Sequence, residues 1–195
     1  EVITTTMSWL ATSNAILLCG AKPIYVDIGD DLNINSDLVE RSITKKTKAI
    51  IAVHFCGRIC DIDKLKKISK KYQIKLIEDA SQAAGSEYLN RRAGFWSDLA
   101  AFSMNPMKPL GAFGEAGAVV LNSRKLKKKI ESLRYLGTKN IEICVDPDVN
   151  HKIDEIQSIW LLSRLSSLNK SLEKRRKQAS LIHERLNDEV RVIVI

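Results

Sequence analysis

The chain reads as short apolar blocks separated by amphipathic stretches, and the spacing of the blocks sets the expected elements. Residues 1–6 are rich in β-branched side chains and predict a strand. Residues 9–18 predict a helix, with Ser8 as its cap and Gly20 as its stop. A second strand is expected over residues 23–27 and a short capped helix over residues 35–41. Residues 48–55 are apolar on both faces, which predicts a central strand. An amphipathic helix over residues 61–72 feeds the run Lys75-Leu-Ile77, which ends in the acids Glu78 and Asp79. Residues 99–104 predict another buried strand, and residues 118–121 a strand that closes the intervening turn. Ser123 then caps a basic helix that ends before Gly137. Residues 138–151 show no clear period, and Pro147 breaks them further. From residue 153 to about 187 the period is helical, with Ile153, Ile156, Trp160, Leu161, Leu165 and Leu168 on one stripe. Residues 190–195 read as a strand opening a further domain. Strand and helix alternating every dozen or so residues argue for βαβ units: an α/β fold with a mostly parallel central sheet flanked by helices.

Candidate chemistry collects where these strands end. Carboxylates are costly inside a protein, so acids gather where a buried strand emerges, and Asp79 falls at such an end. Gln82 follows three residues later. Lys108 lies on a loop after the strand over residues 99–104, with Gly111, Gly114 and Gly117 expected to keep the backbone behind it permissive. A lysine on a loop beside buried strand ends is a candidate amine nucleophile, because desolvation frees its neutral form. His54 ends the central strand and has two readings, a site residue or a hydrogen-bonded structural histidine, of which the second is preferred.

Composition removes several alternatives. With 195 residues, 45% of them hydrophobic, the chain is long enough to bury a core. No apolar run reaches the length of a membrane-spanning helix, and no signal-peptide pattern is present. The net charge of +8 raises nucleic-acid binding, but the lysines recur at helical spacing between apolar positions, as solvated helix faces do. Four cysteines at irregular spacing make no disulfide framework. Cys56 and Cys60 have the wrong spacing for common zinc sites and no second ligand pair, so no metal is expected and both read as small buried thiols. Reduced thiols fit a cytoplasmic protein. The chain opens without methionine in one apolar run and stops in another, and is expected to be an internal piece of a longer protein.

The order of the pieces resembles the DegT/DnrJ/EryC1/StrS sugar aminotransferases, enzymes of fold type I that use pyridoxal phosphate. The resemblance rests on Ile77-Glu-Asp-Ala-Ser-Gln-Ala-Ala-Gly85 and Phe102-Ser-Met-Asn-Pro-Met-Lys108, and extends through Ala21-Lys-Pro-Ile-Tyr-Val-Asp27, residues 43–51 and Arg91-Arg-Ala-Gly94. It implies Lys108 as the Schiff-base lysine, Asp79 facing the cofactor's ring nitrogen, Gln82 on its ring hydroxyl and Ser103 on its phosphate. Trp9 would stack on the ring, while Glu78 would be structural, on the other side of its strand. Asn150 would reach the phosphate in a neighbouring subunit, making a homodimer with shared active sites. Lys152 stands where arginine is usual, Ala116 where a second glycine is common, and Gln157 is open between a site residue and a packing amide. Residues 1–152 would be the cofactor-binding large domain, truncated at its start, and residues 153–195 a linking helix with the beginning of a small domain. The implied reaction is transamination of a nucleotide-linked keto-sugar with an amino acid, by family expectation glutamate, as donor, for polysaccharide or glycosylated-metabolite synthesis. Dehydratases of the same fold carry histidine at the lysine position, and a regulatory or binding member need not retain Asp79, Gln82, Ser103 and Lys108 together.

Overall fold

The computed structural model describes residues 1–186, and the strand expected over residues 190–195 lies outside them. Six strands form one sheet: β1 (Val2–Thr5), β2 (Pro23–Val26), β3 (Ala49–Val53), β4 (Lys75–Asp79), β7 (Leu99–Ser103) and β8 (Gly117–Leu121), in the order β2-β1-β3-β4-β7-β8. Every pair is parallel except β7 with β8. Two short hairpins, β5 (Glu87–Tyr88) with β6 (Arg91–Arg92) and β9 (Thr138–Lys139) with β10 (Ile143–Cys144), lie outside it. Neither hairpin was expected, since two-residue strands carry no readable period.

Helices α1 (Leu10–Leu18), α2 (Ser36–Arg41) and α3 (Ile62–Lys71) supply the crossovers. The register puts Ile3, Ile50, Ala52, Leu76 and Glu78 on one face of the sheet. That face packs on Val39 of α2 and on Ile62, Leu65 and Ile68 of α3 in the main core. Asn35 caps α2 by accepting from the Asp37 and Leu38 N–H groups, as its sequence position predicts. The cap of α1 differs from expectation: the helix begins after Trp9 with no side-chain cap, and the Ser8 hydroxyl instead meets Thr12 at 2.7 Å.

The opposite face carries Ile51, Val53, Ile77, Asp79, Leu99 and Ala101, with α1 over part of it. Strand β7 was expected to be buried, yet only Ala100 is; Leu99 is half-buried and Ala101 exposed, because the cover of this face is partial. Helix α4 (Arg124–Leu133) starts at Ser123, which accepts from the Leu126 N–H. Helix α5 (Glu155–Arg185) is the longest element. Its expected stripe is split: Leu161 is buried and Trp160 and Leu168 half-buried, but Ile156 is 74% exposed and Leu165 53%.

Glu78 fixes the middle of the fold. Its buried carboxylate accepts from His54 Nε2 at 2.9 Å, the Gly94 N–H at 2.8 Å, the Trp96 N–H at 3.1 Å, and both the N–H (3.0 Å) and hydroxyl (2.7 Å) of Ser97. The Cys60 N–H donates to His54 Nδ1, so Nε2 is the nitrogen that carries the hydrogen toward Glu78. His54 is thus the structural histidine. Burial alone would raise the Glu78 carboxyl, but the bonds from His54, Gly94 and Ser97 outweigh it and hold the group below its ordinary 4.5.

A carboxyl depressed on folding contributes stability that is fully present above its ordinary value and is lost as pH falls through the folded one. Glu78→Gln in the full-length protein should therefore cost about 2–3 kcal/mol at neutral pH, the scale of lost charge-assisted hydrogen bonds. Its melting temperature should also fall less steeply than wild type as pH drops below 4.5. Thermal unfolding across a pH series measures both, and parallel curves for the two proteins would remove Glu78 as the acid-sensitive group.

Candidate active site

Strand alternation separates the two adjacent acids at the end of β4: Glu78 faces the main core and Asp79 the other side. Asp79 Oδ2 accepts from the Thr12 hydroxyl at 2.7 Å, and Oδ1 from the Ser81 N–H at 3.1 Å. Since the Thr12 proton goes to Asp79, Ser8 donates to the Thr12 oxygen, making a chain of hydroxyls that ends on the carboxylate. Asp79 has no cationic partner among the described residues. Thr12 escaped sequence reasoning, although a signal was present. It lies one helical turn before Ile16, and these two are the buried residues of α1. A polar residue on a buried stripe calls for a partner.

Gln82 turns its Oε1 toward the backbone, accepting from the Cys56 N–H at 3.0 Å. Its Nε2 is left to point elsewhere, with no hydrogen-bond partner among the described residues. The donor sits in a tight turn after His54 where Cys56 has φ +52° and Gly57 φ +87°. Glycine is required at 57 on two counts, since a Cβ there would also lie 3.0 Å from the Gln82 carbonyl oxygen. Cys56 is exposed, which corrects its expected burial; Cys60 is buried, and burial pushes its thiol well up.

Asp79 pairs in register with Ala101, which places Ser103, two residues on, on the same face at the end of the next strand. The Ser103 oxygen accepts from the Asn105 N–H at 3.4 Å, leaving its own proton to give. A loop then leaves and re-enters the sheet region, its ends joined by Met104 N–H to the Ala116 carbonyl at 2.8 Å. Lys108 stands at the reversal, where its N–H closes a turn onto the Asn105 carbonyl. It is half-buried and has no carboxylate partner among the described residues.

The glycines after Lys108 serve close approach, not conformational freedom. None of Gly111, Gly114 and Gly117 has positive φ, but a Cβ at Gly111 would lie 2.6 Å from the Pro106 carbonyl oxygen and one at Gly114 2.8 Å from Gln157 Nε2. Ala116 also lacks positive φ, so alanine brings no strain there.

Asp79, Gln82, Ser103 and Lys108 therefore stand on, or directly after, the carboxyl ends of neighbouring strands β4 and β7. Trp9 sits at the start of the helix whose Thr12 touches Asp79, and is 78% exposed. Asn150 is not brought into this group. It bridges to Tyr135 and accepts from the Lys152 N–H at 2.9 Å, and no hydrogen bond among the described residues links it to the other four. A cavity of about 700 Å³ lies beside the group, lined by Gln82, Pro109 and Arg176 among others, but not by Asp79, Ser103 or Lys108. No helix among the described residues is long and apolar enough to cross a membrane.

A mostly parallel α/β sheet with an acid, an amide, a hydroxyl and a lysine at adjoining strand ends defines a ligand-binding enzyme domain of the open-sheet class. Residues 1–195 match the DegT/DnrJ/EryC1/StrS aminotransferase family along their whole length, and the chain belongs to that family. It is 36% identical over 196 residues to a pleiotropic regulatory protein of Geobacillus stearothermophilus, covering 100% of this chain and 53% of that one. It is 37% identical over 190 residues to a dTDP-3-amino-3,4,6-trideoxy-alpha-D-glucose transaminase of Micromonospora megalomicea subsp. nigra, covering 96% and 51%. Transaminases of UDP-linked sugars also occur among the relatives. The structure superposes on NtdA of Bacillus subtilis with bound cofactor PMP at TM-score 0.84, with 36% identity and coverage of 92% and 41%. The chain spans about half the length of the curated relatives it matches.

Thr12→Val keeps the volume and removes the donor to Asp79. It should cost about 1–2 kcal/mol in chemical denaturation, whereas Thr12→Ser, which keeps the hydroxyl, should cost less than half as much. A larger cost for Thr12→Ser than for Thr12→Val would show that the methyl group, not the hydroxyl, matters.

Proposed function

We propose that the whole protein is a pyridoxal-phosphate-dependent aminotransferase that converts a nucleotide-linked keto-sugar to an amino sugar, with glutamate as amino donor, in polysaccharide or glycosylated-metabolite synthesis. The observation that carries this reading is a pair of groups with no charge partner among the described residues: an oriented carboxylate at Asp79, at the end of β4, and an amine at Lys108, on the loop after the adjoining β7. An acid left without a protein cation suits a protonated ring nitrogen, and an amine left without a carboxylate suits an aldehyde. The remaining donors fit the same group: Gln82 has only its Nε2 to offer and Ser103 its hydroxyl proton. In this reading residues 1–152 are the cofactor-binding domain, and residues 153–195 lead into a second one.

Pyridoxal phosphate, when bound, supplies an aldehyde that takes up amines and a conjugated ring that accepts the electron pair left on the amine-bearing carbon. Lys108 Nζ would hold the aldehyde and, when free, would move the proton at the substrate carbon. Asp79 holds the proton on the ring nitrogen, which makes the ring a better electron acceptor, while Thr12 and Ser81 keep the carboxylate aimed. Gln82 Nε2 would donate to the ring oxygen, Ser103 would donate to the phosphate, and Trp9 would cover the ring. Asn150, which stands apart from the other four, would reach the phosphate in a second copy of the chain.

A regulatory role is the second reading, favoured by the name of the Geobacillus relative. Retention of Lys108 with Asp79, Gln82 and Ser103 supports the enzyme, and the dehydratase alternative is disfavoured by lysine at position 108. In the full-length protein, borohydride reduction followed by peptide mapping should place a pyridoxyl group on Lys108. Lys108→Ala should abolish transamination with the fold intact, and Asp79→Asn should lose kcat more than KM, since the ring proton matters most in the transition state. A label on another lysine, or near-normal kcat in Asp79→Asn, refutes the assigned roles.

The shared site has its own test. Lys108→Ala and Asn150→Ala would damage different chains of one site, so a hybrid dimer would hold one doubly damaged site and one intact site. After subunit exchange is verified by mass-tagged copies, an equal mixture should recover about one quarter of wild-type activity. No gain over the separate variants, given a clear defect in Asn150→Ala alone, would mean that Asn150 serves its own chain.

A further inference from the structure

The return leg of the Lys108 loop is held by one turn of helix α5. Gln157 Oε1 accepts from the Phe113 N–H at 2.9 Å and the Gly114 N–H at 3.3 Å. Three residues on, Trp160 Nε1 donates to the Gly111 carbonyl at 3.1 Å, and the Phe113 ring stacks on the Trp160 ring with centroids 4.2 Å apart and planes at 28°. Leu161 closes the contact by packing with Leu110 and Ala112. Positions 157, 160 and 161 share one helix face, so a single rigid element makes every one of these contacts. Neither N–H has a backbone acceptor and the Gly111 carbonyl has no backbone donor among the described residues, so these loop groups depend on α5.

The outgoing leg is fixed separately. Asn105 Oδ1 accepts from the Met107 N–H at 3.0 Å, and Asn105 Nδ2 donates to Glu115 across the loop at 2.6 Å. The two legs are packed against each other, since a Cβ at Gly111 would lie 2.6 Å from the Pro106 carbonyl oxygen. Lys108 stands between them, so a shift of the return leg becomes a shift of the amine.

We infer that Gln157 and Trp160 are positioning residues for Lys108, which hold its amine in reacting position through the backbone of residues 111–114. This rests on the reading of Lys108 as the cofactor-binding amine. The clamp needs an acceptor at position 157, not an amide: glutamate keeps the oxygens that bind both N–H groups and leucine has none. An amine on a loose loop reaches the reacting geometry less often, so the loss falls on the rate of bond formation at Nζ more than on binding.

The test uses the full-length protein, stripped of cofactor. Pyridoxal phosphate is added, and the reaction is quenched with borohydride at successive times and mapped by peptide mass to follow labelling of Lys108. Gln157→Leu should slow that labelling about tenfold, and lower kcat by a similar factor with KM nearly unchanged, while Gln157→Glu restores both to within about twofold of wild type. Trp160→Phe, which keeps the ring but drops the bond to Gly111, should slow labelling by a smaller factor with the same melting temperature, and it decides the matter if Gln157→Leu does not fold. Wild-type labelling rates at Lys108 in the folded variants overturn the positioning role alone. A wild-type label on a different lysine overturns this inference together with the assignment of Lys108.

Discussion

A carboxylate stays ionised inside a protein only where enough donors replace the water it has lost, and Glu78 has five of them. These donors come from the end of β3 and from the segment between β6 and β7, so meeting the demand of one buried charge ties together the ends of three strands. The consequence for the site is indirect and strong. Because Glu78 and Asp79 are neighbours on a strand, fixing one to the core side fixes the other to the opposite side. The acid that faces the active-site side is therefore positioned by an acid that never touches it.

The active-site face is held together by contacts of long sequence separation. Thr12 on α1 reaches Asp79 on β4, the Cys56 N–H reaches Gln82, and Gln157 on α5 reaches Phe113 and Gly114. Each contact joins a segment that carries a candidate group to a different part of the fold, so Asp79, Gln82 and the loop of Lys108 are fixed from three sides. The loop of Lys108 is held by α5, which also reaches the hairpin segment through Asn169 and Arg92.

Much of the scaffold was legible in the sequence, for physical reasons. Continuous apolar runs and capped amphipathic helices report local burial, so β3 as a central strand, α2 with its Asn35 cap and α4 with its Ser123 cap follow from short windows. Asp79, with Gln82 after it, and Lys108 stood out because strand ends in a parallel sheet gather chemistry, whereas Ser103 stood out only through the family resemblance. The partners of these groups did not, since no local pattern reports that Thr12 meets a residue 67 positions away. Ser8 was misread for the same reason: serine before a helix normally caps it, and here its hydroxyl is drawn to Thr12. The glycines near Lys108 were recognised but misassigned, because sequence does not distinguish a glycine needed for positive φ from one needed for close approach. The stripe on α5 failed at Ile156 and Leu165, apolar residues that this chain does not cover.

The two glutamines of the site follow a common physical logic. Gln82 and Gln157 each commit the amide oxygen to backbone N–H groups of a loop, which settles the amide orientation and turns the NH2 group the other way. A carboxylate would bind the same N–H groups more strongly, yet at position 82 it would place a second negative charge three residues from Asp79 and present an acceptor where a donor is wanted. A neutral amide holds the turn at Cys56 and Gly57 while adding no charge. At position 157 the constraint is looser, since the amide nitrogen there, which a Cβ at Gly114 would meet at 2.8 Å, has no hydrogen-bond partner among the described residues. In the proposed reading glutamine is needed at position 82 for its donor and at position 157 only for its acceptor. On that account glutamate is compatible with the loop at 157 and incompatible with the site at 82, although the two residues make the same kind of bond to the backbone.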